Sequence, residues 1–261
     1  MKSKKMGDKS IVYQKIEAVG IVTINRSEAS NAINERVAEE LASICHDISI
    51  DKGVKVVIIT GAGQKAFSIG SDLKKLKSKK GAGEARLLSV AAPVAALKCP
   101  IIAAINGDAL GQGLELALAC DIRIAVDKAR FALPHIASGL MPWDGATQRL
   151  SRLVGTTRAM EMVLTGESIG AREAQWLGLL TKVVASEELM PLTKSMAQAM
   201  ASQSPLALSF AKEAINKGMD LTLEQGLRLE ADLYFLLHTT EDRTEGIKAF
   251  LEKRPPEFKG K

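Results

Sequence analysis

The sequence predicts an α/β core followed by an all-helical C-terminal region, and three observations carry that expectation. Runs of β-branched residues of strand length alternate with helical stretches up to about residue 185. Apolar positions between the first strands recur at helical spacing. Beyond residue 185, helical segments follow one another with no strand between them.

Taken in order, IVYQKIEAVGIVTIN (11–25) alternates apolar and polar around Gly20, the pattern of an antiparallel hairpin. Val37, Leu41, Ile44 and Ile48 then mark one face of an amphipathic helix. VKVVIIT (54–60), PIIAAIN (100–106) and DIRIAV (121–126) read as buried strands, and GLELALAC (113–120) as a largely buried helix. AMEMVLTGESIGAREAQ reads as one helix ending at Gly166 and another opening near Ala171. EELMPLTKSMAQAMA, PLALSFAKEAINKGM, LTLEQGLRLEADLYFLLH and EDRTEGIKAFLEKR supply the helical tail, whose Leu and Met stripes need a layer to bury them, such as a neighbouring subunit.

Composition narrows the class. With 261 residues, 46% of them hydrophobic, the chain can bury a large core. The longest apolar neighbourhood, 87–126, is interrupted by charges, so no membrane span is expected, and the basic start MKSKKMGDKS lacks the apolar segment of a secretory leader; a cytoplasmic address follows by default. Three scattered cysteines give neither a disulfide framework nor a metal-ligand set. The net charge of +5 suits an anionic small ligand. Its densest part, LKKLKSKK (73–80), has no aromatics interleaved to stack on bases, so nucleic acid is the less favoured partner.

Four stretches could carry chemistry. GESIG (166–170) fits the G-x-S-x-G elbow, but a helix precedes it where that elbow needs a strand, so a corner between helices is preferred to a Ser168 nucleophile. GAGQKAFSIGSDL (61–73) follows a strand, precedes a helix, and could turn its amides toward an anion. INGDALGQGLELALACD (105–121) repeats that arrangement and sets Glu115 in the first turn of an apolar helix. Dipole complementarity alone could explain an acid there, yet burial would raise its pKa into a catalytic range. LPHIASGLMPWDG (133–145) carries His135 and Asp144, which the residues alone leave open as catalysts or as a hydrogen-bonded turn.

Together, NRSEASNAIN, VVIITGAGQKAFSIGSDL, PIIAAINGDALGQGLELALACDIRIA, FALPHIASGLMPWDGATQRLSRLVG, AMEMVLTGESIGAREAQWLGLL and GIKAFLEKRPPEF resemble the crotonase superfamily, the enoyl-CoA hydratase/isomerase family, over nearly the whole chain. The resemblance implies a spiral of ββα repeats over residues 1–185 holding an acyl-CoA site. It also implies a helical region, 186–261, that builds a homotrimer or a hexamer. It implies hydration or isomerisation of an α,β-unsaturated acyl-CoA thioester, with coenzyme A arriving on the substrate and no other cofactor. Ser71 and Gln112 match the two backbone N–H donors of the oxyanion hole. Glu115 matches one catalytic glutamate, the water-activating base, while His135 occupies the slot of the second as proton donor. Asp144 falls where several branches place a catalytic group. Ala66, Ile69, Gly70, Asp72, Leu73, Gly111 and Trp143 match CoA- or substrate-lining positions, and Lys253 a basic position that can reach a neighbour's CoA.

Three departures stand out: His135 for Glu, Gln112 for Gly, and Asp144 for a small residue. They keep two alternatives open. One is a C–C hydrolase or dehalogenase-like enzyme that uses Asp144 on a cyclic acyl-CoA; the other is a non-catalytic module of the same fold binding CoA thioesters or RNA.

Overall fold

The computed structural model describes residues 9–72 and 88–261. Among the described residues ten strands form two sheets: β1 (Ile11–Ile16), β2 (Val19–Ile24), β3 (Val56–Gly61), β4 (Ala66–Ser68), β5 (Ile101–Ile105), β6 (Asp108–Leu110), β7 (Ile122–Val126), β8 (Arg130–Ala132), β9 (Ile169–Gly170) and β10 (Lys182–Val184). The larger sheet runs β1-β2-β3-β5-β7-β10 and the smaller β4-β6-β8-β9. Among the described residues only the β1–β2 and β8–β9 pairs are antiparallel. Chain order therefore alternates between sheets: β3 then β4, β5 then β6, β7 then β8, with a helical segment closing the second and third turns. Each turn of this spiral contributes one strand to each sheet, and short strand-to-strand steps keep the two sheets together.

The hydrophobic pattern explains the layers. Ile58, Ile59, Ile101 and Ile102, on central strands of the larger sheet, are fully buried, as a parallel sheet covered on both faces requires. The helix Glu35–Ile50 buries Val37, Leu41 and Ile48 and starts at Asn34, whose side chain accepts the Val37 N–H at 3.0 Å. Beyond Val184, helices Leu189–Ala201, Pro205–Gly218, Leu223–Leu237 and Glu241–Glu252 follow without another strand among the described residues. The first of them packs on the larger sheet, and the next two pack on each other.

One expectation shifts, and the reading of Ser168 as a corner stands. The hairpin is present, but it turns at Glu17 and Ala18 rather than at Gly20, which pairs with Lys15 inside β2. The fit there is tight, since a Cβ would sit 3.1 Å from the Tyr13 ring and 3.3 Å from Val54. Ser168 is no nucleophile at an elbow. It follows the helix Thr156–Thr165 and the left-handed Gly166, and its hydroxyl accepts from the Arg130 guanidinium at 2.7 and 3.0 Å. The helix expected after GAGQKAFSIGSDL, Leu73 and the lysine run 74–80 lie outside the described residues.

Candidate active site

Two glycine turns create the floor of the site. Gly70 (φ +87°) and Gly111 (φ +51°) both use backbone angles that side chains rarely adopt. The turns also touch, for a Cβ on Gly70 would stand 2.7 Å from the Leu110 carbonyl and 2.9 Å from Gln112 N. The positive φ thus falls on Gly111, so a side chain at 112 costs no backbone strain. Gln112 opens the helix Gln112–Leu118, where a first-turn N–H has no partner in its own helix.

Ser71 lies on a one-residue parallel bridge to Ile33. The Gly70 carbonyl accepts from Ile33 N at 2.8 Å and Asp72 N donates to the Ile33 carbonyl at 2.7 Å. Extended backbone alternates its groups, so the Ser71 N–H faces away from Ile33.

Glu115 stands one turn into that helix with no solvent exposure. Its Oε1 accepts the Asp144 and Ala146 amides at 2.8 and 3.2 Å. Its Oε2 is buried with no hydrogen-bond partner among the described residues, 3.7 Å from His135 Nε2. Burial pushes its pKa up to about 7, against the pull of the Ala146 and Asp144 amides, and the nearby Asp144 carboxylate adds to the rise.

His135 sits on the single-turn helix Pro134–Ser138. The imidazole faces the second glycine turn, 3.7 to 3.8 Å from where a Gly111 Cβ would be. Its Nδ1 is buried and unpartnered among the described residues, and burial lowers its pKa. Two unsatisfied acid–base groups therefore face one another beside a bare backbone turn, the kind of spare polar capacity that buried groups seldom keep without a ligand to fill it.

Asp144 is built differently. Its Oδ1 accepts the Ser89 hydroxyl at 2.5 Å, and its Oδ2 accepts Val90 N, Ala91 N and Gln112 Nε2 at 2.8, 3.0 and 3.3 Å. None of these bonds is to His135. Sequence reasoning overlooked Ser89. Its hydroxyl also accepts the Ala92 N–H at 3.1 Å, the local signature of a serine before an apolar helix, whereas its contact with Asp144 spans 55 positions.

The remaining expected positions divide. Ala66 is buried, and its carbonyl accepts from Asn31 and Asn106 side chains at 2.7 and 3.3 Å. Asp72 is held by the Arg26 guanidinium at 3.2 Å. Ile69 and Trp143 expose large apolar surface near the two turns of the chain that bear Gly70 and Asp144. Lys253 caps the last helix in the left-handed conformation, and no contact among the described residues joins it to Glu115 or His135. A separate cleft of about 530 Å³, lined by Thr23, Thr60, Asn106 and Lys194 among others, holds none of these residues. Thr60 and Asn106 there are already bonded to backbone groups.

Residues 14–261 match the family model for enoyl-CoA hydratase/isomerase. The chain belongs to that family. It is 42% identical to the 2,3-dehydroadipyl-CoA hydratase of Escherichia coli over 96% of this chain and 99% of that one. It is 39% identical to the short-chain-enoyl-CoA hydratase of Clostridium acetobutylicum, over 94% and 95%. The crystal structure of an enoyl-CoA hydratase from Bacillus anthracis superposes with a TM-score of 0.93 at 39% identity, covering 97% of this chain and 100% of that one. The crotonase fold and an enzyme of the enoyl-CoA hydratase/isomerase type follow for this protein, and at the level of that family the reaction is hydration of enoyl-CoA. No helix among the described residues is long and apolar enough to cross a membrane.

Proposed function

We propose that the protein adds water across the α,β double bond of an acyl-CoA thioester, with Glu115 and His135 as its acid–base pair and the Ser71 and Gln112 amides as its oxyanion hole. The observation that carries this reading is Glu115 Oε2, buried and unpartnered among the described residues, standing 3.7 Å from Nε2 of the His135 ring, which lies against Gly111. The thioester oxygen accepts from the two amides. As the water oxygen bonds Cβ, its proton passes to Glu115, and the π electrons move onto the thioester oxygen as an enolate. His135 then delivers a proton to Cα, giving the 3-hydroxyacyl-CoA, and transfer from Glu115 to His135 resets the pair.

Each preorganised donor supplies about 3 to 4 kcal/mol to a transition state of this kind. The pair needs one proton between its members, so it works between two macroscopic ionisations. Activity falls below His135's lowered pKa, where both groups are protonated, and again above about 7, where both have lost their protons.

Ala66, Ile69, Gly70, Asp72, Leu73, Gly111 and Trp143 are the proposed CoA- and acyl-lining positions. The exposed apolar side chains of the last helices, Leu223, Leu227, Phe235 and Phe250, fit burial between copies in a homotrimer or hexamer, with Lys253 reaching a neighbour's CoA. Light scattering at several concentrations checks the assembly, and a monomer at all of them would remove it. The reaction is tested by offering linear, branched and cyclic enoyl-CoA thioesters and following loss of the conjugated chromophore together with a mass gain of one water. No water gain from any of them sinks the reading.

A further inference from the structure

We propose that Asp144 is a positioning residue that, with Gln112, ties the oxyanion-hole turns and Glu115 into one rigid frame and takes no proton or nucleophilic role. The inference rests on the hydration reading and assigns the turn a part in it.

An ionised carboxylate offers about four acceptor directions. At Asp144 four donors converge: the Ser89 hydroxyl on Oδ1, and the Val90 and Ala91 amides with Gln112 Nε2 on Oδ2. Oδ2 is saturated and Oδ1 is held by the Ser89 hydroxyl, so both oxygens are already engaged in fastening the turn. The Asp144 backbone is committed as well, with its N–H given to Glu115 Oε1 at 2.8 Å and its carbonyl accepting from Arg149 at 3.1 Å.

Gln112 completes the frame. Its Oε1 accepts the Ser71 hydroxyl at 2.9 Å, while its Nε2 donates to the Leu88 carbonyl at 2.7 Å and to Asp144. The side chain of one proposed oxyanion donor thereby grips the residue that bears the other, and both are anchored to the residue that grips Glu115. Gln112 and Asp144 are 2% and 7% exposed, so water cannot replace these bonds cheaply.

The experiment is steady-state hydration of crotonyl-CoA, or of the thioester best turned over in the screen, by wild type, Asp144→Asn, Asp144→Ala and Gln112→Ala, with Glu115→Gln as reference. An asparagine can keep an oxygen toward Val90, Ala91 and Gln112 and turn its NH2 to the Ser89 hydroxyl oxygen. Asp144→Asn should therefore lose less than about tenfold in kcat, whereas Asp144→Ala and Gln112→Ala should each lose about 10- to 100-fold with KM little changed. Losses at 112 and 144 should combine to less than their product, since both cut the same frame.

A second readout separates positioning from general loosening. The titratable groups facing Glu115 are Asp144 and His135, so removing the charge in Asp144→Asn should move the pH–rate profile to lower pH. Asp144→Asn falling as far as Glu115→Gln would show chemistry at Asp144 and overturn the proposal. Wild-type kcat in both Asp144→Ala and Gln112→Ala would overturn it from the other side, and if the alanine at 144 fails to fold, Asp144→Asn and Gln112→Ala decide. A fully active Glu115→Gln would instead sink the hydration reading, whatever position 144 does.

Discussion

Glu115 and Asp144 are both buried carboxylates, joined through the Asp144 amide, yet they are finished in opposite ways. Glu115 has one oxygen held by two amides and the other left bare toward His135. Asp144 has both oxygens engaged, Oδ1 by the Ser89 hydroxyl and Oδ2 by three N–H donors. A folded chain pays heavily for a buried polar atom without a partner, so on the hydration reading proposed above the bare oxygen is where substrate and water complete the structure, and the engaged pair is where the structure completes itself. Residue type alone does not separate these cases; the count of unfilled acceptor directions does.

The largest break in this contrast should come from Glu115→Gln. The amide oxygen keeps the Asp144 and Ala146 bonds, so folding survives, while loss of the base should lower kcat about 10²- to 10⁴-fold. The same variant carries a stability signature. Glu115 holds its proton up to about 7 in the folded protein but only to about 4.5 when unfolded. Wild-type stability should therefore fall as pH rises from 4.5 through 7, and the Gln variant should lack that fall in urea titrations across this range. An unchanged turnover removes Glu115 from the mechanism.

Next in size is His135→Gln, expected to lower kcat about 10²-fold and to change the shape of the pH profile. Wild type should be bell-shaped. Without the imidazole, only ionisation of Glu115 remains, so the rate should rise through about pH 7 and show no alkaline limb. A bell that persists would place the proton donor elsewhere.

A smaller effect is expected from the floor on which both groups stand. Gly70→Ala puts a methyl 2.7 Å from the Leu110 carbonyl and 2.9 Å from Gln112 N at a φ of +87°, forcing the turns apart. Turnover should drop about tenfold or more, since small misplacements of oriented donors are costly. Binding of coenzyme A measured alongside separates loss of alignment from loss of the pocket.

How much of this could be read from residues alone depends on range. The strands β3, β5 and β7 and the four C-terminal helices were legible because long β-branched runs and Leu/Met stripes report burial directly. The smaller sheet was not, since its strands are two or three residues long and draw their pairing from the spiral rather than from any local pattern. In the site, Glu115 was legible as an acid in an apolar helix, and His135 through its motif. The side-chain bonds of Gln112 were not legible, because its partners lie 41, 24 and 32 positions away, and the special backbone angle sits one residue earlier, at Gly111. Asp144 was ambiguous for the same reason: its donors come from Ser89 to Ala91, across a separation no motif encodes.

The weakest perturbation sharpens the comparison most, because it asks whether filled acceptors mean structure elsewhere in the molecule. Asp242, 2% exposed in the first turn of the helix Glu241–Glu252, is finished like Asp144. Its Oδ1 accepts Lys259 N and Gly260 N at 2.7 and 3.1 Å, and its Oδ2 accepts the Ser204 hydroxyl and Gly260 N at 2.8 and 3.1 Å. These bonds fasten the end of the chain to the start of the helix Pro205–Gly218. Asp242→Ala should then destabilise the protein by about 1 to 3 kcal/mol in urea unfolding, the cost of orphaned buried donors, and leave kcat within about twofold in conditions where the variant is folded. A selective fall in kcat with stability intact would mean that a saturated carboxylate can still reach the chemistry, and the rule that separates Glu115 from Asp144 would have to be abandoned.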